Sequence, residues 1–188
     1  MPSSTYKALP FILQEIIKTQ PSSVLDIGIG FGKWGFLCRE YLESWNNKVY
    51  PKDWTVQIDG VEIWKDYVEK LSWIKTIYNT IHIGDACKLV DKLQSYDVII
   101  AGDVVEHIDK VRGIALIKSL KSKVKKKLIL SIPLGSNWMG NKTVAGNPYE
   151  EHQAIWNGLE IKTILGDNTI LHTVKEPRGD VGVFIHEK

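Results

Sequence analysis

Along the chain the apolar positions switch repeatedly between helical and strand spacing. Leu9, Leu13, Ile16 and Ile17 recur at helical spacing and predict an amphipathic leading helix within residues 1–20, with Pro10 tolerated in its first turn and Pro21 as its stop. Ser23 to Ile27 reads as a buried strand, and a glycine turn joins it to a helix from Trp34 to Trp45 carrying Phe36, Leu37, Tyr41 and Leu42. Ser44 to Trp54 is polar and aromatic and contains a proline, so it is expected as a loop. Beyond it the pattern predicts a strand from Thr55 to Ile63, a helix from Lys65 to Lys75, a strand from Thr76 to Ile83 and a helix from Cys87 to Leu93.

Tyr96 to Gly102 is the most apolar strand up to that point. It leads to a helix from Asp109 to Ser122, with Asp109 as its N-cap, and to a strand from Leu128 to Ile132. A glycine, asparagine and proline-rich loop follows from Pro133 to Pro148, then a predicted helix from Tyr149 to Leu165. Two last strands, Thr169 to Glu176 and Asp180 to His186, face each other across Pro177, Arg178 and Gly179 as a hairpin. Apolar strands alternating with helices predict a three-layer α/β/α, doubly wound, mostly parallel seven-stranded sheet with a C-terminal antiparallel hairpin. All of residues 1–188 are expected in one domain, with 133–149 as its substrate loop, and no internal repeat is visible.

Composition adds exclusions more than assignments. Lysine plus arginine, 24, against aspartate plus glutamate, 22, leaves a formal charge of +2, which does not call for a nucleic-acid or membrane partner. The run Lys118 to Lys127 reads as a solvated helix end complementing the dipole before the next strand, in preference to a track for RNA or anionic lipid. Cys38 and Cys87 are far apart and form no C-x-x-C pair, so neither a disulfide framework nor a zinc knuckle is expected, and a reducing, cytoplasmic setting fits. Glutamate and glutamine break up the apolar start of the chain, so no signal peptide and no membrane span are read there.

The chemistry concentrates where the first strand ends, in Asp26-Ile27-Gly28-Ile29-Gly30-Phe31-Gly32. In a doubly wound sheet the ligand site lies beyond the carboxyl ends of the strands, beside the first strand where strand order reverses. Glycines there let backbone approach a ligand, and the next helix offers free N–H groups. By letter, Gly30 to Gly35 satisfies the dinucleotide pattern G-x-G-x-x-G, a weak match by itself. The register differs, with an acid at the strand end and glycines at alternate positions, and Gly35 is then expected as a helix-packing position.

In this register the stretch resembles motif I of the class I S-adenosylmethionine-dependent methyltransferases of the small-molecule type. The resemblance covers nearly the whole chain through elements arriving in order: Glu62 ends the second strand in Gly60-Val61-Glu62, Asp85 ends the third in Ile83-Gly84-Asp85-Ala86, and Asp103-Val104-Val105-Glu106-His107 follows the fourth. It implies S-adenosylmethionine as cofactor, held by Asp26, Gly28, Gly30, Phe31, Gly32, Glu62, Ile63, Asp85, Ala86 and Asp103. Asp26 would position the aminoacyl part, Glu62 would accept from both ribose hydroxyls, and Asp85 would meet the adenine amino group, with Ile63 and Trp64 flanking adenine and ribose. One departure is the separation of Asp26 from Glu62, which the Ser44 to Trp54 loop explains if it is an insertion.

The resemblance further implies transfer of a methyl group to an oxygen or nitrogen of a small molecule, such as a sugar or natural-product intermediate. Glu106, His107 and His152 are the candidate proton acceptors. The Glu-His pairs at 106–107 and 151–152 invite a metal reading, but sequence does not bring them together and no metal is assigned. Only the leading helix, the Ser44 to Trp54 loop and the Pro133 to Tyr149 loop are left to build a lid, so a macromolecular acceptor would need a docking surface from a second copy or a partner subunit. The competing readings are an NAD(P)-dependent oxidoreductase using Gly30 to Gly35 as its phosphate turn, and a binding or scaffolding module without turnover.

Overall fold

The computed structural model describes residues 4–140 and 146–188. The leading helix is α1 (Leu9–Thr19), with proline in its first turn and Gln20 closing it in the left-handed conformation. Strand β1 (Ser23–Ile27) is buried along its length and feeds α2 (Lys33–Leu42). Then come β2 (Gln57–Glu62), α3 (Lys65–Lys70), α4 (Ile74–Ile77), β3 (Thr80–Ile83), α5 (Ala86–Leu89) and β4 (Tyr96–Gly102). The chain ends with α6 (Lys110–Lys123), β5 (Val124–Leu134), α7 (Gly158–Leu165), β6 (Thr169–Glu176) and β7 (Gly179–Glu187).

The seven strands form one sheet in the order β3-β2-β1-β4-β5-β7-β6. β1 to β5 pair in parallel, and β7 is antiparallel to both β5 and β6. The strand period of two sorts the core into two layers. Val24, Ile58, Val98, Ile100 and Ile129 face α1, α2 and α4. Leu25, Val61, Ile99, Leu128 and Leu130 face α6 and α7. The expected doubly wound architecture is therefore the observed one.

The helix expected from Lys65 to Lys75 ends at Lys70, and three other expectations differ for reasons the contacts show. The strand placed from Thr76 starts only at Thr80, because Ile74 and Ile77 bury one face of a short helical turn beneath the glycine loop. An apolar run that short fits either period, and burial three residues apart decided it. The helix placed from Tyr149 begins at Gly158, where the Asn157 side chain caps it by accepting from the Glu160 amide. Upstream, the amides of Gln153 and Ala154 donate to the carbonyl of Glu106, which holds that segment out of a helix. Finally, the lysine run does not end on a helix: Lys125 to Lys127 belong to β5. There Lys126 pairs with Asp97 at 3.0 Å and Lys127 with Glu15 at 2.5 Å.

The Ser44 to Trp54 loop carries two short 3-10 turns and leads into the amino end of β2. Buried Glu43 fixes it there by accepting from the amides of Thr55 and Val56, and the Arg39 guanidinium lies 4.2 Å from the centre of the Trp54 ring. Residues 141–145 of the expected substrate loop lie outside the described residues. No helix among the described residues is long and apolar enough to cross a membrane.

Candidate functional site

The chain runs outward from β1 to β2 and β3, then returns to place β4 on the other side of β1, so strand order reverses between β1 and β4. Gly28, Gly30 and Gly32 all have positive φ, +72°, +49° and +83°, which explains the alternate spacing: each turns the chain where a side chain would be strained. The amides of Gly28 and Ile29 donate to the Val61 carbonyl, and that of Gly30 donates to Glu62 Oε2 at 3.0 Å. A Cβ on Gly28 would stand 2.6 Å from Val104 Cγ2, so the glycine also lets the loop after β4 approach.

Over these strand ends lies a cavity of about 130 Å³. Gly28, Gly30, Glu62, Ile63, Asp85, Ala86, Asp103 and His107 line it, so eight sequence-predicted residues from four separate strand ends meet there. Glu62 is buried, its Oε1 accepts from the Trp64 amide at 2.7 Å, and burial raises its pKa. Asp85 caps α5 by accepting from the Cys87 amide at 2.9 Å, and its other oxygen pairs with Arg112. Asp103 holds φ +56°, unusual for a side-chain-bearing residue, and accepts from the Ser131 hydroxyl at 3.0 Å. Burial raises its pKa too.

Other predicted residues stand behind or beside the cavity. Asp26 is 0% exposed and does not line it; Oδ2 accepts from the Tyr78 hydroxyl at 2.6 Å. Burial is the main cause that pushes its carboxyl up to about 7. Its place is behind the cavity wall, tied to the Tyr78 side chain. Phe31 and Gly32 line a neighbouring surface groove with Leu9, Phe36 and Trp73. Gly35 is the helix-packing position expected, and a Cβ there would meet the Tyr78 ring at 2.4 Å. It lies inside α2.

Glu106 and His152 do not line the cavity but adjoin His107: the two imidazoles meet edge to face with centres 4.8 Å apart. Burial holds the Glu106 carboxyl well above the ordinary carboxylate range and pushes both imidazoles down to about 4. At neutral pH the imidazoles are therefore uncharged, each with a lone pair to offer. Of the four residues weighed for a metal, Glu106, His107 and His152 converge; Glu151 offers its backbone carbonyl to His107 Nδ1 at 3.2 Å.

Sequence reasoning missed part of the cavity wall. Tyr67 on α3 donates to Glu150 Oε1 at 3.1 Å, drawing Asn147, Tyr149 and Glu150 over the opening. Of the three stretches expected to form a lid, only the one after β5 contributes lining residues among the described residues; the leading helix and the Ser44 to Trp54 loop contribute none there. No local signal marks Tyr67, because its contact is 83 residues away in sequence.

No family model and no curated protein matches this chain. Solved structures do. A methyltransferase dependent on S-adenosylmethionine from Archaeoglobus fulgidus superposes with TM-score 0.67 at 16% identity, covering 98% of this chain and 95% of that one. Magnesium protoporphyrin IX methyltransferase from Synechocystis PCC 6803, crystallised with its bound cofactor, gives TM-score 0.65 at 17% identity, with 97% and 78% covered. The methyltransferase domain of a bacterial Hen1 gives 0.63 at 18%, with 96% and 97% covered. The fold is the Rossmann-like fold of the class I S-adenosylmethionine-dependent methyltransferases.

Proposed function

We propose that the chain is a methyltransferase of one domain that binds S-adenosylmethionine in the cavity over β1, β2 and β4 and methylates an oxygen or nitrogen of a small molecule. The observation that carries this reading is the convergence of the left-handed glycines after β1 with the Glu62 carboxyl and the Asp85 turn around one cavity at the strand-order reversal. Gly28 and Gly30 leave backbone open to the aminoacyl and sugar portions, Glu62 faces the ribose, and Ile63 with Ala86 offers apolar contact to the base. When bound, the cofactor supplies a methyl group on a positively charged sulfur, and the carbon–sulfur electron pair leaves with the sulfur. The protein's task is alignment of the acceptor.

His107 is the imidazole that lines the cavity and offers a lone pair for the acceptor's proton, with His152 beside it; its pKa of about 4 makes it a weak base, so alignment carries most of the rate. Glu106 is buried behind His107 and does not line the cavity. The Asn147 to Glu150 stretch over the opening favours a small acceptor. The lysine run supports the same choice over RNA: Lys121 and Lys123 donate to backbone carbonyls, and Lys126 and Lys127 are ion-paired. An NAD(P) reading has the register against it, with Asp26 at the strand end and glycines at alternate positions after it.

Incubating the protein with methyl-labelled S-adenosylmethionine and a fractionated cell extract tests this. Label is expected in the small-molecule fraction, with no competition from NAD. Label confined to nucleic acid or protein overturns the acceptor class, and displacement of the cofactor by NAD overturns the cofactor.

A further inference from the structure

Glu106, His107 and His152 each place one ligand-capable atom within 4.8 Å of the others, an arrangement that simple alignment of a methyl acceptor does not require. Glu106 is 1% exposed, and neither of its oxygens has a hydrogen-bond partner among the described residues. A buried carboxyl left so costs stability unless a further group satisfies it. His107 Nδ1 lies 3.2 Å from the Glu151 carbonyl; a carbonyl only accepts, so Nδ1 carries the proton and Nε2 presents a lone pair. That pattern, one imidazole nitrogen fixed by a backbone carbonyl and the other open, is how metal-binding histidines are oriented.

The distance between His107 Nε2 and Glu106 Oε1 is 3.9 Å, beyond hydrogen-bonding reach. Two ligands of one metal, each at about 2.0 to 2.2 Å from it, stand roughly 3.0 to 3.4 Å apart, so a small side-chain rotation closes the gap. His152 arrives from a distant part of the chain because the amides of Gln153 and Ala154 donate to the Glu106 carbonyl at 2.7 and 3.1 Å. Its ring then packs edge to face against His107.

We propose that Glu106, His107 and His152 form a binding site for a divalent first-row transition metal such as Zn²⁺, Mn²⁺ or Co²⁺. Two imidazoles and one carboxylate suit these ions, whereas Mg²⁺ and Ca²⁺ favour all-oxygen shells. Three protein ligands leave coordination positions open, and His107 places the site on the cavity wall. There the ion would hold an acceptor hydroxyl and ease loss of its proton, in place of His107, whose Nε2 lone pair the ion would occupy. That role rests on the methyltransferase reading; the site itself does not.

The test uses chelator-treated, dialysed protein titrated calorimetrically with ZnCl₂, MnCl₂, CoCl₂ and MgCl₂, with visible absorption followed for Co²⁺. One equivalent of a transition metal should bind, more tightly than Mg²⁺. Glu106→Gln and His152→Ala should each weaken it at least about tenfold. Circular dichroism of the metal-free variants checks folding, and Glu106→Gln, nearly isosteric, decides if His152→Ala does not fold. A wild-type protein that takes up no transition metal at millimolar concentration, variants that bind as tightly as wild type, or equal affinity for Mg²⁺ would each overturn the proposal. A parallel S-adenosylmethionine titration, read without metal, separates failure of this site from failure of the cofactor reading.

Discussion

The loop after β1 and the segment after β5 both border the cavity, yet they are built by opposite means. The first is specified locally: three glycines at alternate positions each take positive φ, and the path of the chain follows from them. The second, from Pro148 to Asn157, has a 3-10 turn and irregular backbone, and distant partners shape it. The amides of Gln153 and Ala154 go to Glu106, that of Gly135 goes to Trp156, and the Trp156 indole donates to Val105 at 3.3 Å. One region carries its geometry in its own residues; the other borrows it from the loop after β4.

The sharpest way to break this contrast is Trp156→Ala. Trp156 is among the largest fully buried side chains, it stacks under Lys110 Nζ at 3.7 Å, and its ring fills the space beside Gly113. Its loss should cost about 3 to 5 kcal/mol in urea unfolding. It should also release His152 from His107.

A comparable effect is expected from pH, acting in the first region through Asp26. Asp26 has its folded pKa raised from 3.8 to about 7, so the folded state binds the proton more tightly. Stability from this group is then fully present below pH 4 and lost as pH rises through 7, by an amount on the order of 4 kcal/mol. Comparing chemical unfolding of wild type and Asp26→Asn across that window checks it: the variant should lack this part of the slope.

The smallest effect is predicted for Gly35→Ala, about 1 to 3 kcal/mol from overpacking against Tyr78. Because the Tyr78 hydroxyl holds Asp26, thermal unfolding should show the loss together with an altered pH dependence. A loss with no change in pH dependence would show that Gly35 matters for packing only.

These differences explain what could be read from the chain. The sheet was legible because its strands are apolar on both faces and the intervening helices alternate with them, as in Val24 to Ile27 and Tyr96 to Gly102. The glycines and the acids Glu62 and Asp85 were legible because strand-end position follows from the same pattern. The buried place of Asp26 was not, since it depends on Tyr78, 52 residues away. Nor was the meeting of His107 with His152, which depends on the Gln153 and Ala154 amides donating to the Glu106 carbonyl and on His107 Nδ1 reaching the Glu151 carbonyl 44 residues away. The false helix at Tyr149 has the same origin: its periodicity is helical, and tertiary hydrogen bonds override it.

The central claim is that the cavity at the β1, β2 and β4 ends takes S-adenosylmethionine through the glycine loop and Glu62. Calorimetric titration of the purified protein with S-adenosylmethionine, alongside Glu62→Ala, tests it most directly. The account predicts one equivalent bound by wild type and a loss of at least about tenfold in the variant, the weight of a buried charged hydrogen-bonding group. No binding by wild type at millimolar cofactor, or equal affinity in the folded variant, would contradict it.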